Sequence, residues 1–336
     1  MKLFLPGAGA RLIPALKSVA GVRDIIVSTN DPFSPGAFLA DRSYLLPRFD
    51  QPEFIEAVLS IHDQERFDAC LPVLDSALLF FARNGERFAG RRFRIAMSDP
   101  SVVEIACDKV QLVQYFKLWG LPVPETRTFD DYLAGPSRPL PCFLKPRYPS
   151  DRDFGDAIYT ALTEDIDVGY WAEKLAGRLD RYVIQPLLDG DEVNIHFFCD
   201  ELGEPRSIVA LRRLAGRPGD AMSRGEIIDA TPFAWAVRAV CGAVRLWGAN
   251  ELQAFVGGGG PTWFTELNVR LNGSSPFVKA AGADPFENTV RLLRGQPVSF
   301  PTRPRPLSMT QWEHSHFFER SPVLTRAGQG RGHQGA

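Results

Sequence analysis

Residues 251–270 have the sequence ELQAFVGGGGPTWFTELNVR, in which two strand-like runs flank four consecutive glycines. This arrangement predicts a β-hairpin. The two-residue period of a strand places Glu266, Asn268 and Arg270 on one face, with Gln253 on the facing strand. Their carboxylate and amide oxygens are hard ligands that can reach one Mg²⁺ ion, and the arginine can bind a phosphate or carboxylate through paired hydrogen bonds. The hairpin is therefore a candidate metal site, although the pattern alone is more typical of a solvated edge hairpin.

The composition is that of a soluble globular protein, with 45% hydrophobic and 23% charged residues among 336. This length predicts two or three domains. The net charge of -2 gives no support for nucleic-acid or membrane-surface binding. No apolar run approaches the roughly 20 residues that span a bilayer. Five scattered cysteines without a C-x-x-C pair argue against a disulfide framework or structural zinc and favour a cytoplasmic location.

Short apolar runs alternate with helical patterns over the first hundred residues, which predicts a small parallel sheet covered by helices. The predicted strands are Lys2–Leu5, Asp24–Ser28, Asp68–Leu74 and Arg92–Met97, and the predicted helices end at Ala20 or span Phe54–Ile61. The turn GAGAR at 7–11 matches a dinucleotide fingerprint only in part, because Leu12 replaces its third glycine, and a structural turn is the better interpretation.

Asp75 and Ser76 follow the third of these strands. Open α/β sheets bind ligands at the carboxyl ends of their strands, so both residues are candidate substrate contacts. Helix capping is the slightly favoured alternative, since Asp and Ser are both good caps.

Helix signals follow the boundary at residues 98–100. Ser101 and Glu104 have the spacing of a capping box, and Asp108 can cap a second helix that ends at Gly120. Lys109 begins that second helix. Lys145 ends a predicted strand and precedes a loop, which suits a point-charge contact to phosphates. Each lysine alone is equally typical of an exposed side chain.

The segment YVIQPLLDGDEVNIHFF (182–198) predicts a strand, a glycine turn and a strictly alternating second strand. The backbone of 185–188 could offer a C=O and an N–H to a planar base, and Glu192 could accept hydrogen bonds from ribose hydroxyls. An ordinary hairpin is the alternative. On the second strand Val193 and Ile195 share one face, whereas Glu192, Asn194 and His196 share the other. Further on, a helix is predicted from Thr231, as its cap, to Gly248.

The segment LRRLAGRPGDAMSRGE (211–226) contains Arg212, Arg213 and Arg224 around a Gly-rich stretch. A cationic loop could bind a carboxylate substrate. A solvated surface loop is an equally good interpretation. The sequence contains no H-E-x-x-H, G-x-S-x-G or G-x-x-x-x-G-K-[ST] motif, which disfavours a zinc protease, a serine hydrolase and a Walker-type nucleotide site.

In their order and spacing these segments resemble an ATP-grasp protein, with CDKVQLVQYFKLWGLPVPET (107–126) as the most similar stretch. The likeness extends over residues 2–298 and is nearest to the synthetase units of the carbamoyl-phosphate synthetase large subunit and their single-unit relatives. The resemblance implies an α/β (α+β) fold in which a Rossmann-like domain precedes a two-subdomain ATP-grasp fold. The implied parts are the Rossmann-like domain over 1–98, a small lid subdomain with linking helices over 99–188, a large metal-bearing subdomain over 189–305 and a tail over 306–336. The last ten residues are expected to be disordered.

The resemblance also implies ATP and two Mg²⁺ ions as cofactors, with Mn²⁺ as an acceptable substitute. The implied nucleotide contacts are Lys109 and Lys145 to phosphates, the Gln185 C=O and Leu187 N–H to adenine, and Glu192 to ribose, with Arg152 supporting the phosphate loop. Magnesium is assigned to Gln253, Glu266 and Asn268. Lys145 and Arg270 are the expected catalytic residues, with Arg270 directed at phosphates or the acyl-phosphate.

The activity that this resemblance implies is an ADP-forming carboxylate–amine ligase that acts through an acyl-phosphate. A bicarbonate-activating enzyme is one alternative, and Gly273, where relatives have arginine, counts against it. A nucleotide-binding module without catalysis is another. The acidic phosphate loop YPSDRDFG (148–155) favours that module, whereas Glu266, Asn268 and the two lysines argue against it. The expected partners are a small carboxylate and an amine, without nucleic acid or membrane, and the apolar, Pro-rich first domain is compatible with a homodimer.

Overall fold

The structure is a computed structural model that describes residues 1–7, 9–148, 158–216, 222–257, 260–312, 315 and 317, and the backbone of 325–326. Over these residues the strands form three sheets, named here the N-terminal sheet, the small sheet and the large sheet. The pairings of the N-terminal sheet are parallel, and those of the other two are antiparallel. This mixed α/β arrangement confirms the predicted fold class.

The N-terminal sheet has the strand order β16-β3-β2-β1-β4-β5 over the described residues. Its strands are β1 (Lys2–Pro6), β2 (Asp24–Thr29), β3 (Arg42–Leu45), β4 (Ala69–Cys70), β5 (Arg94–Ile95) and β16 (Thr325–Arg326). The accompanying helices are α1 (Ile13–Lys17), α2 (Pro35–Leu39), α3 (Glu53–Glu65) and α4 (Asp75–Asn84). The strand order β3-β2-β1-β4-β5 within this sheet is typical of a Rossmann-like fold. Consecutive residues of β1 and β2 are fully buried, as expected when helices cover both faces.

Three predicted elements of this domain are shorter than expected. The strand predicted over 68–74 is only β4, since Pro72 lacks the N–H that would continue the ladder. The strand predicted over 92–97 is only β5. The helix predicted to reach Ala20 ends at Lys17, where the Ser18 hydroxyl donates to the Ala15 carbonyl and Gly21 adopts a φ of 80°.

Two linking helices, α5 (Pro100–Ala106) and α6 (Lys109–Leu118), follow the N-terminal sheet. The predicted capping box at Ser101 is wrong, because Asp99 is the cap and accepts from the Ser101 N–H at 2.9 Å. Glu104 instead binds Arg83. The predicted Asp108 cap is confirmed, because its carboxylate accepts from the Val110 N–H at 3.0 Å.

The small sheet has the order β6-β9-β7-β8 over the described residues. Its strands are β6 (Arg127–Thr128), β7 (Cys142–Pro146), β8 (Thr160–Leu162) and β9 (Tyr182–Pro186). Helices α7 (Phe129–Ala134) and α8 (Asp165–Lys174) cover one face of this sheet around a core that includes Phe129, Tyr132 and Leu144. The sheet carries Lys145 at the end of β7 and leads from β9 into the large sheet.

The large sheet has the order β14-β13-β10-β11-β12-β15 over the described residues. Its strands are β10 (Asp191–Cys199), β11 (Pro205–Ala215), β12 (Arg224–Ile228), β13 (Gly248–Val256), β14 (Trp263–Asn268) and β15 (Ser308–Thr310). The remaining helices are α9 (Ala234–Ala243), α10 (Ser275–Ala280) and α11 (Pro285–Leu293). Helix α11 packs Phe286, Val290 and Leu293 into the core of the N-terminal sheet, so the two parts share apolar contacts.

The side chains of β10 alternate between an apolar and a polar face, as the sequence predicts. Val193, Ile195, Phe197 and Cys199 are buried in the core that the large sheet shares with α5, α6 and α9. The opposite face carries Glu192, Asn194 and His196. This face, with the corresponding residues of β11, β13 and β14, forms the floor of the candidate active site.

The helix predicted from Thr231 to Gly248 is wrong at both ends. Residues 231–233 form a 3-10 turn, α9 spans Ala234–Ala243, and Asp229 rather than Thr231 supplies the capping oxygen. The chain leaves the helix at Val244 in an extended conformation, which buries Leu246 completely. Gly248 then begins β13.

Two short strands lie within the segment predicted as a tail. Strand β15 extends the large sheet beside β12, and the backbone of β16 pairs with β3. The ten residues predicted to be disordered, 327–336, lie outside the described residues.

The Asp108 cap should contribute more stability than the Asp99 cap, because Asp108 also binds the guanidinium of Arg147 at 2.9 and 2.7 Å. We expect Asp108→Ala to lower the free energy of unfolding by about 2–4 kcal/mol, from the lost cap and the lost charged hydrogen bonds. The matched variant Asp99→Ala removes the cap and an exposed hydrogen bond from the Ser101 hydroxyl, but no ion pair, and should cost about 1 kcal/mol. Equal costs in urea unfolding would contradict this ranking.

The same contribution should depend on pH. Burial raises the pKa of Asp108, but Arg147 and the first N–H groups of α6 outweigh burial and hold the pKa below its ordinary value. A lowered carboxylate pKa contributes stability above the unfolded pKa of about 3.9, and that stability is lost as the pH falls through the folded value. The difference in the free energy of unfolding between the wild type and Asp108→Ala should therefore become smaller below about pH 4.

Candidate active site

The hairpin of β13 and β14 brings the predicted metal ligands together. Gln253 lies opposite Glu266 in the antiparallel register, and Asn268 lies two residues further along β14 on the same face. All three line one cavity. One carboxylate and two amides supply oxygen donors of the kind that Mg²⁺ and Mn²⁺ bind, so the residues present fit the implied metal. The described residues contain no group of three His, Cys, Asp or Glu side chains arranged for a metal.

Two buried lysines converge on Glu266. Lys109 begins α6 and Lys145 lies at the end of β7, and their Nζ atoms lie 3.4 and 3.3 Å from the same Glu266 Oε1. The Lys145 contact has hydrogen-bond geometry, whereas Lys109 Nζ makes no well-directed hydrogen bond. Two ammonium groups beside one carboxylate leave an excess of positive charge, which suits a polyanion.

The pKa values of the two lysines move in opposite directions. Burial lowers the pKa of Lys109, but the Glu266 charge outweighs burial and the pKa is raised overall. Burial also lowers the pKa of Lys145, and there the attraction of Glu266 does not compensate for burial and for the repulsion by Lys109. Another negative charge near Lys145 would stabilise its ammonium form.

A first cavity of about 320 Å³ lies between the small and large sheets. Lys145 and Glu266 line this cavity together with residues 185–188 and Phe255. Its apolar and polar walls, together with these charged groups, are typical of a small-molecule site.

The adenine prediction needs a correction by one residue. The Leu187 N–H donates to the Pro141 carbonyl at 3.2 Å, so it is already paired. Hydrogen-bonded pairs recur every second residue in an antiparallel ladder, so the Gln185 backbone also faces its partner Phe143 on β7. The Pro186 C=O and the Leu188 N–H are directed to the other side of β9, where the pairing with β6 ends at Ile184. Sequence alone could not determine which backbone edge β7 would cover.

Glu192 lies in the first cavity, as the ribose prediction requires, and Arg213 Nη1 approaches its Oε1 at 3.3 Å. Burial raises the pKa of Glu192, and the Arg213 charge only partly opposes this rise. A half-buried carboxylate with one cationic neighbour can accept hydrogen bonds from hydroxyl groups in the cavity.

Of the three arginines predicted to bind a substrate carboxylate, Arg213 lines both cavities. The prediction for Arg212 is wrong, because strand alternation turns it away to pair with Glu226 and with Asp191. Arg224 is exposed, lines neither cavity and lies at the edge opposite Thr310 of β15. Arg152, predicted to support the phosphate loop, lies outside the described residues, as do residues 149–155 of that loop.

A second cavity of about 300 Å³ adjoins the first. Its walls come from the turn at 9–12, from residues 73–75 of the N-terminal domain and from the metal-ligand face of the large sheet. Both cavities contact Gln253, Glu266 and Arg213. The candidate metal ligands therefore lie where the two cavities meet.

Arg270 is held by an acidic partner from the other domain. Its Nε and Nη2 donate to the two carboxylate oxygens of Asp75 at 2.7 and 2.6 Å, and both side chains are almost fully buried. Asp75 is the first residue of α4, and its carboxylate is directed at Arg270. Ser76 is buried and lines neither cavity. The expected phosphate contact of Arg270 must use the donors that Asp75 leaves available.

The sequence analysis missed Glu251 as a residue of this site. It lies two residues before Gln253 on β13, is 2% exposed and contacts His196 at 2.8 Å. The same two-residue period that selected Gln253 places Glu251 beside it, so the signal was present in the strand pattern.

Comparisons with known proteins agree with this geometry. The PylC-like N-terminal domain family matches residues 7–95. The chain is similar to an N5-carboxyaminoimidazole ribonucleotide synthetase solved with ADP, at 17% identity and a TM-score of 0.70, over 91% of this chain and 80% of that one. The chain has the ATP-grasp fold. The predicted resemblance is thus confirmed at the level of the fold, with a Rossmann-like domain before the ATP-grasp sheets.

Two further solved structures show the same fold. An L-amino acid ligase from Bacillus licheniformis matches at 14% identity and a TM-score of 0.68, over 87% of this chain and 74% of that one. The biotin carboxylase domain of 2-oxoglutarate carboxylase from Hydrogenobacter thermophilus, solved with MgADP and bicarbonate, matches at 15% identity and a TM-score of 0.63, over 89% and 70% of the two chains. A search of curated proteins by sequence gives no match. Among the described residues, no helix has the length and apolar composition needed to cross a membrane.

The Asp75–Arg270 pair should be a structural link between the two domains. Asp75→Leu leaves the Arg270 guanidinium buried without its carboxylate, so we expect a loss of about 3–5 kcal/mol in the free energy of unfolding. Asp75→Leu combined with Arg270→Met replaces the pair by apolar side chains and should cost less than the single change. Strictly additive costs in urea unfolding would show that the two residues do not act as a pair.

Proposed function

We propose that this protein is an ATP-dependent, ADP-forming ligase that joins a carboxylic acid to an amine through an acyl-phosphate. The observation that carries the proposal is the convergence of Lys109 and Lys145 on Glu266 at the junction of two cavities. A triphosphate in the first cavity would place its charged end against Lys145, with Lys109 on the other side of Glu266 Oε1, and an acid in the second cavity would lie beside it. The ADP and MgADP complexes of two structural neighbours support a nucleotide in this fold.

The first cavity supplies the nucleotide contacts in this proposal. The Pro186 C=O and Leu188 N–H present an acceptor and a donor to the adenine edge, and Glu192 accepts from the ribose hydroxyls. Lys145 and Lys109 neutralise phosphate oxygens. Gln253, Glu266 and Asn268 would hold Mg²⁺, which supplies further neutralisation of the charge on the transferring phosphoryl group. Mn²⁺ suits the same donors.

The chemistry in this proposal has two balanced steps. A carboxylate oxygen of the acid attacks the γ-phosphorus, the bond from that phosphorus to the bridging oxygen breaks, and ADP leaves with that electron pair. The amine nitrogen then attacks the acyl carbon, the carbon–oxygen bond to phosphate breaks, and the nitrogen loses a proton to solvent. No covalent enzyme intermediate is required. The protein orients the reactants, neutralises charge and excludes water.

The size of the second cavity favours an organic acid of about amino-acid size. A bicarbonate ion has only four heavy atoms and would fill a small part of about 300 Å³. The bicarbonate-activating alternative keeps support from the neighbour solved with bicarbonate. The proposal also includes a homodimer, from the apolar, Pro-rich first domain, and a cytoplasmic location, from the scattered cysteines.

Turnover should require Glu266. We expect Mg-ATP with the correct acid and amine to yield ADP and phosphate, and Glu266→Ala to lower the rate at least about 100-fold because it removes an anionic metal ligand and the partner of both lysines. Glu226→Ala, a glutamate on β12 outside both cavities, is the matched control and should stay within about twofold. The panel should contain amino acids, other small carboxylates and bicarbonate.

Each result of this panel has a defined meaning. ADP release that needs both an organic acid and an amine supports the ligase. Release with bicarbonate alone supports the alternative activity. Binding of Mg-ATP without turnover on any acid would favour a module without catalysis. Formation of AMP and pyrophosphate would contradict the acyl-phosphate route.

Nucleotide affinity should distinguish two neighbouring arginines. Arg213→Ala removes the cation next to Glu192 in the first cavity, so we expect ADP to bind about tenfold more weakly. Arg212→Ala removes only an exposed ion pair on the other face of β11 and should change the affinity less than about twofold. Calorimetric titration with ADP and Mg²⁺ measures both, and equal effects would place the nucleotide elsewhere.

A further inference from the structure

A buried carboxylate lies directly behind the candidate metal ligands. Gln253 Nε2 and Asn268 Nδ2 both donate to Glu251 Oε1, each at 3.0 Å. The other oxygen, Oε2, lies 2.8 Å from His196 Nε2 and 3.2 Å from the Ser274 hydroxyl. These residues are named here the Glu251 network. Both amides that the sequence selects as metal ligands therefore depend on one acceptor atom.

The contacts of Glu251 show which way the two amides face. The nitrogen atoms Gln253 Nε2 and Asn268 Nδ2, and not the amide oxygens, lie at hydrogen-bonding distance from Glu251 Oε1. A carboxylate oxygen accepts hydrogen bonds from such NH₂ groups. The NH₂ groups of Gln253 and Asn268 must therefore face Glu251, and their carbonyl oxygens must face away from it. Arg270 Nη2 lies 3.4 Å from Asn268 Oδ1, which agrees with this orientation.

Glu251 is poorly suited to bind the metal itself. A carboxylate offers about four lone-pair directions. The two amides occupy Oε1, and His196 and Ser274 occupy Oε2, with a further side-chain hydrogen bond from Asn194. At 2% exposure, the carboxylate is also almost completely enclosed. Its oxygens are committed to protein donors, whereas those of Gln253 and Asn268 are not committed to the network.

We propose that Glu251 is the positioning residue of the metal site: it holds the amides of Gln253 and Asn268 with their oxygens directed at the metal. The inference rests on the proposed function, since it assumes a metal at these residues. Free amides rotate between two orientations, and only one of them presents oxygen to a cation. Anchoring both NH₂ groups to one buried anion removes the unproductive orientations before the metal arrives. His196 completes the network at the other carboxylate oxygen, 2.8 Å from its Nε2.

The first test measures metal affinity rather than turnover. Mn²⁺ is titrated by electron paramagnetic resonance into the full chain saturated with a non-hydrolysable ATP analogue. Glu251→Gln should raise the Kd for Mn²⁺ about 10–100-fold, the usual effect of losing an outer-shell partner. Glu251→Asp keeps the charge beside His196 but draws the oxygen back from the amides, and should also raise the Kd. The isosteric control Glu226→Gln should leave it within about twofold.

The second test observes the amides directly in the metal-free protein. Side-chain ¹⁵N–¹H spectra of Gln253 and Asn268, assigned by loss of signals in Gln253→Glu and Asn268→Asp, should show slow exchange with water. In Glu251→Gln the exchange should accelerate, because a neutral amide oxygen accepts more weakly than a carboxylate and the other end of the new side chain is an NH₂ group that donates instead. Adding Mg²⁺ and the ATP analogue to the wild type should leave both NH₂ groups protected.

Different outcomes would contradict the proposed function and the positioning role of Glu251. Wild-type protein that binds no Mn²⁺ with the ATP analogue would overturn the proposed function and this inference with it. Normal wild-type binding, with an unchanged Kd in Glu251→Gln or Glu251→Asp, would overturn the inference alone. If Glu251→Gln does not fold, Glu251→Asp and the wild-type exchange rates decide. Amides that lose protection when Mg²⁺ is added would show that Glu251 turns to the metal as a ligand, which also overturns a positioning role.

Discussion

One carboxylate connects three parts of the molecule. Glu266 lies on β14 of the large sheet, Lys109 begins the second linking helix, and Lys145 ends a strand of the small sheet. Both ammonium groups are buried, so their separation from water is tolerable only because Glu266 supplies a counter-charge. The cap of α6 by Asp108 and the parallel contact of Arg147 fix where Lys109 starts. Contacts to one atom, Glu266 Oε1, thus join the linking helix and the small sheet to the large sheet, in addition to the apolar core that α6 shares with the large sheet.

A second carboxylate–cation pair extends this organisation to the N-terminal domain. The Asp75–Arg270 contact joins the start of α4 to the residues that follow β14, and the apolar side chains of α11 pack into the core of the N-terminal sheet. The second cavity lies along this junction. Its two walls therefore belong to different domains, and its shape depends on how those domains are held together. Asp75, which the sequence offered as a candidate substrate contact, thus forms part of the wall of the second cavity.

Much of the fold follows from local patterns that the sequence displays directly. The alternation of β10, the Asp108 cap and the β13–β14 hairpin are each set by neighbouring residues, and each was predicted. The errors fall where tertiary contacts decide. β4 is short because Pro72 interrupts the ladder, and α9 ends where burial of Leu246 draws the chain out of the helix. The backbone groups predicted to bind adenine, at Gln185 and Leu187, face β7 instead, because the side of β9 that β7 covers depends on pairing between distant segments. The two-residue period of β13 pointed to Glu251, but the sequence does not show that its carboxylate accepts hydrogen bonds from both Gln253 and Asn268.

The two-faced pattern of β10 limits which sequence changes this strand can accept during evolution. Its odd-numbered residues maintain the core, Glu192 and Asn194 line the two candidate cavities, and His196 contacts Glu251. Substitutions along one strand therefore fall into two classes with independent effects, one on folding and one on chemistry. Insertion or deletion of one residue would exchange the classes, and would direct carboxylate and imidazole into the core and valine and isoleucine into the cleft. The strand can thus vary in composition on either face, but its length is fixed by both at once.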